Sequence, residues 1–316
     1  MLARHAEDLF WTGRYLERAE DTARMLDVTY HGLLEGGADA ASGWHLLLEA
    51  LHLAHPFHAG HDSVTPRAVA EFLVSDAAQP SSIIAAIARA RENARNVREH
   101  LSTELWEALN SCFLELRARD LQAELATQPH ELYREIRTRC QTIAGAGGET
   151  MPRSDPWRFL LLGRLIERAE MTCRMLRVRS SRRAVRSGFH DFLLVLNSVS
   201  ALEAYTRQHG ADIDPARVIS FLLLSPDFPR SVLYCVRGTD TILTQLESGA
   251  PTARPRRTLG RIRAELEYQD PEELCAFGER SVLDRAQAGI WEVAAGVEES
   301  FFASGPQPQR HIFGSL

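Results

Sequence analysis

The residues best placed to do chemistry are arginines and glutamates, set at helical spacing and written twice. Residues 13–28 read GRYLERAEDTARMLDV and residues 163–178 read GRLIERAEMTCRMLRV, with eleven of sixteen positions identical at an offset of 150. On a wheel of about 100° per residue, Trp11, Thr12, Tyr15, Leu16, Ala19, Thr22, Ala23 and Leu26 share one broad, largely apolar face. Arg14, Glu17, Arg18, Glu20 and Arg24 lie opposite it or at its edges, and Arg164, Glu167, Arg168, Glu170 and Arg174 repeat the layout. Between the copies much of the apolar face changes, as in Trp11/Leu161, Tyr15/Leu165 and Ala23/Cys173, whereas the Arg/Glu set does not. A merely solvated face is expected to drift faster than a packed one.

Three readings fit such a set. The first is structural. Glu20–Arg24 and Glu170–Arg174 are well-oriented i,i+4 pairs, opposed copies can pair across a pseudo-two-fold axis, and Gly13 and Gly163 let two backbones approach closely. The second is a clamp for an anion or substrate, lined by Arg14, Arg18, Arg164 and Arg168 and positioned by Glu17 and Glu167. The third is a ferritin-like metal site using Glu17, Glu20, Glu167 and Glu170. The third place of each Glu-x-x unit is Glu and not His, and arginines stand beside it, so no metal is expected there.

A second polar group comprises Asn93, Arg95, Arg98, Glu99, Glu104, Trp106 and Asn110. At an offset of 149 Asn93 and Arg98 meet Ile242 and Glu247, so the two copies differ here and the asymmetric one is a candidate recognition site. The alternative is an exposed helix end capped by Ser102. His52, His55, His58 and His61 recur every third residue, but Pro56 and Gly60 interrupt the helix, which predicts a loop run and no shared metal. Arginine clusters at Arg177, Arg179, Arg182, Arg183 and Arg186, and at Arg254, Arg256, Arg257, Arg261 and Arg263, have little interleaved aromatic character and read as solvated loops.

The elements that position these residues are helices. Apolar spacing predicts helices over 9–33, 44–53, 83–101, 104–116, 157–178, 190–207, 229–246 and 281–302, with glycine and proline falling between them at Gly36–Gly37, Pro56, Gly145–Gly148, Pro152 and Gly249–Pro255. Alternating strand patterns are nearly absent. The fold class expected is all-α: a helical bundle formed by two duplicated halves, 1–150 and 151–316, joined into one compact unit. Weaker matches extend the duplication, including Ser42-Gly43-Trp44-His45 against Ser187-Gly188-Phe189-His190, and Pro66, Phe72 and Ser82 against Pro215, Phe221 and Ser231.

Composition narrows the chemistry. The 316 residues, 45% hydrophobic, suffice for a sizeable core. No stretch approaches the ~18 apolar residues of a membrane helix and no leader opens the sequence, so a cytosolic chain without a membrane partner is expected. A net charge of −6 gives no pull toward nucleic acid. All 36 basic residues are arginine, which removes Schiff-base, P-loop and kinase-type lysines. A GC-rich genome is the plain account of that bias. Cys112, Cys140, Cys173, Cys235 and Cys275 are odd in number and widely spaced, which suits buried thiols better than a disulfide framework or zinc site. G-x-S-x-G and H-E-x-x-H are absent.

At these motifs the chain resembles the bacterial alpha-E family, a helical domain with a Glu-Arg signature. The resemblance is carried by Met1-Leu2-Ala3-Arg4, by Leu9 through Glu20, by Phe72-Leu73 and Pro80-Ser81-Ser82, by Asn93, Arg95, Arg98, Glu104, Trp106 and Asn110, and by Gly163 through Arg174. It covers nearly the whole chain. Family members are similar to accessory proteins found beside, or fused to, atypical ATP-grasp ligases and transglutaminase-like proteins. The resemblance therefore implies a part in ATP-dependent peptide or amide-bond formation, with a peptide or small molecule as substrate. It identifies no catalytic residue, and no cofactor is expected. No ATP-grasp portion is recognisable here, so ligase activity is expected from a partner.

Overall fold

The computed structural model describes residues 1–34, 40–179, 188–246, 253–271, 274 and 279–302. The described residues are helical with no strand, in line with the all-α expectation. None of the described helices is long and apolar enough to cross a membrane. Two compact units divide inside one long helix: Met1–Arg164 forms the first, and the described residues from Leu165 onward form the second.

The first unit begins with α1 (Ala3–Leu34), followed by α2 (Ala40–Ala50), the short α3 (Ala54–His58) and α4 (Pro66–Val74). Next come α5 (Ile83–Asn96), a 3-10 turn at Arg98–His100, α6 (Thr103–Ala118), α7 (Leu121–Thr127) and α8 (Pro129–Thr150). Helix α1 packs on α5 and α8, and α6 packs on the same two, so these four close into a bundle. The sequence of α1 is rich in Ala, Leu, Glu and Arg and holds no proline, which suits 32 residues of helix.

Helix α1 differs from its predicted amphipathic character. Every residue from Asp8 to Asp27 is buried, the Arg/Glu set included. It is a central strut and not a surface helix. Three boundaries also differ. The expected helix over 83–101 stops at Asn96, where Asn96 Nδ2 donates to Asp8 Oδ2 at 3.3 Å and Val97 turns inward to full burial. Gly145–Gly148 does not break the chain, because α8 runs through it to Thr150. A Cβ on Gly147 would meet Leu105 Cδ1 at 2.6 Å, so the glycine serves the close α6–α8 approach. The expected helix over 190–207 is two, split where Ser200 takes φ 53°.

The second unit takes the C-terminal part of α9 (Asp155–Arg179), then α10 (Gly188–Ser198), α11 (Leu202–His209), α12 (Pro215–Leu224), α13 (Val232–Leu246), α14 (Ala253–Glu267) and α15 (Glu279–Phe301). Its core is a second bundle: Ile166 and Ala169 of α9, Cys235, Val236 and Thr239 of α13, Leu259 of α14, and Ile290 and Val293 of α15 line one small apolar gap.

Similar local devices occur in each unit. His52 and Ser200 both take positive φ, and each is followed by a backbone N–H that reaches back to close the preceding helix, Leu53 to Leu48 O and Ala201 to Leu196 O. Thr65-Pro66 and Asp214-Pro215 both cap and open a helix, and Ser82 and Ser231 both accept from the N–H three residues on.

Within the first unit the start of α9 crosses α1 at touching distance. A Cβ built on Gly13 would stand 2.0 Å from the carbonyl oxygen of Leu160, and one on Gly163 would stand 2.0 Å from that of Phe10. Only glycine permits this approach from either side.

Candidate functional site

In the first unit, Arg14, Glu17, Arg18, Glu20 and Arg24 are each at most 3% exposed. Charges so deep are tolerated when paired and hydrogen-bonded. Arg164 supplies one partner from α9: its Nε and Nη2 both lie 3.1 Å from Glu17 Oε2. Glu20 accepts from Arg24 one turn on, and from Gln141 Nε2 of α8 at 3.2 Å. The guanidinium of Arg14 lies over the rings of Phe10 and Trp11, at 5.8 and 5.3 Å from their centroids. Those of Arg18 and Arg89 both lie near Tyr15, at 5.6 and 5.9 Å. Aromatic faces replace part of the lost hydration.

In the second unit the matching residues do comparable work. Glu170 accepts from Arg174 Nη2 at 2.9 Å with both side chains buried. Arg168 donates to the carbonyl of Pro229 at 3.1 Å, and the Thr172 hydroxyl donates to that of Arg230 at 3.0 Å. Together they fix the turn that opens α13. Glu167 is buried as well. Guanidinium partners on Glu17, Glu20 and Glu170 disfavour the four-carboxylate metal reading.

The electrostatics reach the neighbouring thiols. Burial pushes the Cys140 thiol well up, with Cys112, Glu20 and Glu17 adding to it. Burial likewise raises Cys112 to about 11 and Cys173 to about 12. These thiols are buried, as expected, and their raised values disfavour the thiolate that reacts. Cys235 is also buried and free, and Cys275 lies outside the described residues.

Of the second polar group, Arg98 and, through Arg91, Asn110 come together at Trp106, which is half-buried near the start of α6. Arg91 and Arg98 flank its ring at 5.6 and 5.7 Å. Arg91 Nε donates to Asn110 Oδ1 at 3.1 Å, and Arg98 Nη1 donates to the Leu101 carbonyl at 3.3 Å. Ser102 caps α6, its hydroxyl accepting from Leu105 N at 3.3 Å, as the capping reading expected. Arg95 is exposed and paired with Glu92, and Glu104 is exposed in the first turn of α6. Asn93 is buried, and its Nδ2 has no hydrogen-bond acceptor. Arg91 was not among the residues singled out from sequence.

The remaining motifs are not the loops expected: His55 and His58 lie on α3, Arg177 and Arg179 end α9, and Arg254, Arg256, Arg257, Arg261 and Arg263 lie on α14. His52, His55 and His58 are exposed, and His61 stacks on Phe57 at 4.3 Å, so the histidine run does not converge. Arg177 pairs with Asp284 and Arg179 with Asp191, while Arg182, Arg183 and Arg186 lie outside the described residues. Arg254 pairs with Glu299, Arg261 with Glu292, and Arg263 with Asp240 and Glu267. Carboxylate partners offset the charge of these described arginines, which leaves them little net field for a polyanion.

Sequence reasoning missed two groups in the first unit. At the C-terminal end of α1, Asp27 and His31 meet His130 of α8; at its N-terminal end, His5 meets Glu99 and His100. The i,i+4 spacing of Asp27 and His31 was available as a signal. Its third member was not, because 129–150 was not read as a helix.

The Alpha-E family, described as a predicted alpha-helical domain with a conserved ER motif, matches residues 1–302. Uncharacterised proteins of Mycobacterium bovis and Mycobacterium tuberculosis are each 27% identical over 318 residues, covering 93% of this chain and 35% of theirs. The chain thus spans about a third of the length of the curated relatives it matches. No solved structure matches.

Proposed function

The chain belongs to the Alpha-E family, and on that premise we propose an accessory or substrate-handling protein that works with an ATP-grasp-type ligase in peptide or amide-bond formation. One observation carries the reading: curated relatives match over only 35% of their own length. In them this helical portion is joined to a larger one, the arrangement expected of a module that serves another part's chemistry. A transglutaminase-like protein is a further partner on the same family grounds. The buried Arg/Glu lattice supports rigidity in this role, and the Arg91–Trp106–Arg98 surface supplies contact groups of the kind that dominate interfaces.

Native mass spectrometry of the protein purified from its own host tests this reading. A copurified ligase, with ATP-dependent amide product that falls when Trp106→Ala weakens the pair, supports it. A chain that binds no ligase and adds nothing to product formation overturns it.

A second reading, an interaction module that handles no substrate, is favoured by the burial of the Arg/Glu set and its bonding to neighbouring side chains and main chain. It predicts that removing those charges alters only melting temperature and partner affinity. A folded variant that binds its partner normally yet forms no product would exclude it.

A further inference from the structure

We propose that Asp27, His31 and His130 form a binding site for a divalent transition-metal ion of the zinc class. The ligand atoms are His31 Nε2, His130 Nδ1 and Asp27 Oδ1. His130 Nδ1 lies 2.8 Å from His31 Nε2 and 2.5 Å from Asp27 Oδ1, and His31 Nε2 lies 3.6 Å from the same oxygen. Three potential ligand atoms from two helices thus lie within 3.6 Å of one another. Protons serve this arrangement poorly. A neutral imidazole nitrogen is either donor or acceptor, so a proton on His130 Nδ1 can satisfy Asp27 or His31 well, but not both. A cation among the three satisfies every lone pair at once.

Ligand atoms about 2.1 Å from a tetrahedral zinc stand roughly 3.4 Å apart; the His31–Asp27 separation is close to that, and the two shorter ones, both to His130 Nδ1, must open by roughly 0.6–0.9 Å, a swing of one partly exposed imidazole, to admit the ion. Two imidazoles and one carboxylate are the donor set of zinc and non-haem iron sites with open positions. Arg137 Nη1 lies 3.6 Å from Asp27 Oδ2, a single guanidinium that weakens the site for a cation but leaves Oδ1, the oxygen paired with the histidines, to the ion. The Asp27 side chain is 9% exposed, whereas those of His31 and His130 are 45% and 35% exposed. The ion would therefore rest on a buried carboxylate and keep a coordination position open to solvent.

The aligned position of the second unit carries Arg177, already paired with Asp284. The site therefore belongs to the first unit alone. The inference does not rest on the partner reading above. The group at His5, Glu99 and His100 is weaker because its carboxylate is 62% exposed and lies 3.7 Å from the nearer imidazole.

The test uses the full chain, stripped with chelator and titrated with zinc by calorimetry and with cobalt by visible absorption. Wild type is expected to bind one zinc that is weakened at least about 100-fold in His31→Ala and in His130→Ala. It is also expected to show a ligand-field spectrum that both variants lose. Both histidines are partly exposed, so unchanged circular dichroism and metal-free melting temperature will verify folding. If either variant does not fold, zinc-dependent protection of His31 and His130 from diethyl pyrocarbonate in wild type replaces it. Absence of zinc binding by wild type, equal affinity in the folded variants, or no protection of these histidines overturns the proposal.

Discussion

Gly13 and Gly163 sit on helices pressed so close that each has the other helix's main chain where its own Cβ would be. The obstructing atoms are the carbonyl oxygens of Leu160 and Phe10, both at 2.0 Å. Contact is reciprocal, and each clash is with backbone, which cannot rotate aside as a side chain does.

Gly13→Ala or Gly163→Ala is therefore expected to lower stability by ~3 kcal/mol or more, although alanine is the better helix former by about 1 kcal/mol. Thermal unfolding followed by circular dichroism checks this. Gly148→Ala, where a Cβ meets nothing within 4 Å, is the matched control and should be neutral or stabilising. Equal melting temperatures for Gly13→Ala and the control would show that the helices separate at little cost.

The buried pair Glu170–Arg174 gives a second expectation. Removing one partner leaves a charge stranded away from water, which costs ~3–5 kcal/mol. Glu170→Ala and Arg174→Ala should each destabilise by that order, and the double variant should lose much less than their sum. A double-mutant cycle in urea measures the coupling. Strictly additive losses would assign the stabilisation to other contacts of the two residues.

The fold class was legible because helical periodicity and the near absence of strand alternation agree along the chain. The repeated motif was legible for a similar reason, since residues 13–28 and 163–178 can be compared directly. Its burial was not. A helix with nine polar or charged residues between Asp8 and Asp27 besides Asp8 itself reads as having a wet side, and only neighbours distant in sequence, such as Gln141 and Arg164, reveal that those groups are satisfied inside. Gly145–Gly148 misled because glycine signals a turn locally, while Gly147 answers to the shape of Leu105. The Asp27–His31–His130 group was hidden for the same reason: its third member arrives from α8.

Cysteine reactivity offers a third test. Alkylation needs the thiolate, and burial holds Cys112 near 11 and Cys173 near 12. At pH 8 roughly one thiol in a thousand or fewer is ionised at these positions. Cys112, Cys140, Cys173 and Cys235 are expected to resist iodoacetamide in the native protein and to react promptly in guanidinium. Peptide mapping by mass spectrometry distinguishes them from Cys275. Fast native labelling of Cys140 would mean that α8 opens readily.

The last expectation concerns acid. Glu135 on α8 is partly buried, which pushes its carboxyl up, but hydrogen bonds from Arg119 and Arg139 outweigh this and hold it below the usual value. A carboxylate whose folded pKa is depressed adds stability at pH values above the unfolded value, near 4.3, and loses it as pH falls through the folded value. Glu135→Gln should therefore melt lower than wild type at pH 6. The gap should narrow as pH falls below about 4.3 and close once Glu135 is protonated in both states. Because the side chain is 33% exposed, screening keeps the effect modest, and added salt should shrink it at pH 6. Melting curves of the two proteins from pH 6 to pH 2.5 provide the comparison. A gap that stays constant through that range would mean that Glu135 acts through packing, with the Arg119 and Arg139 pairs contributing nothing that titrates.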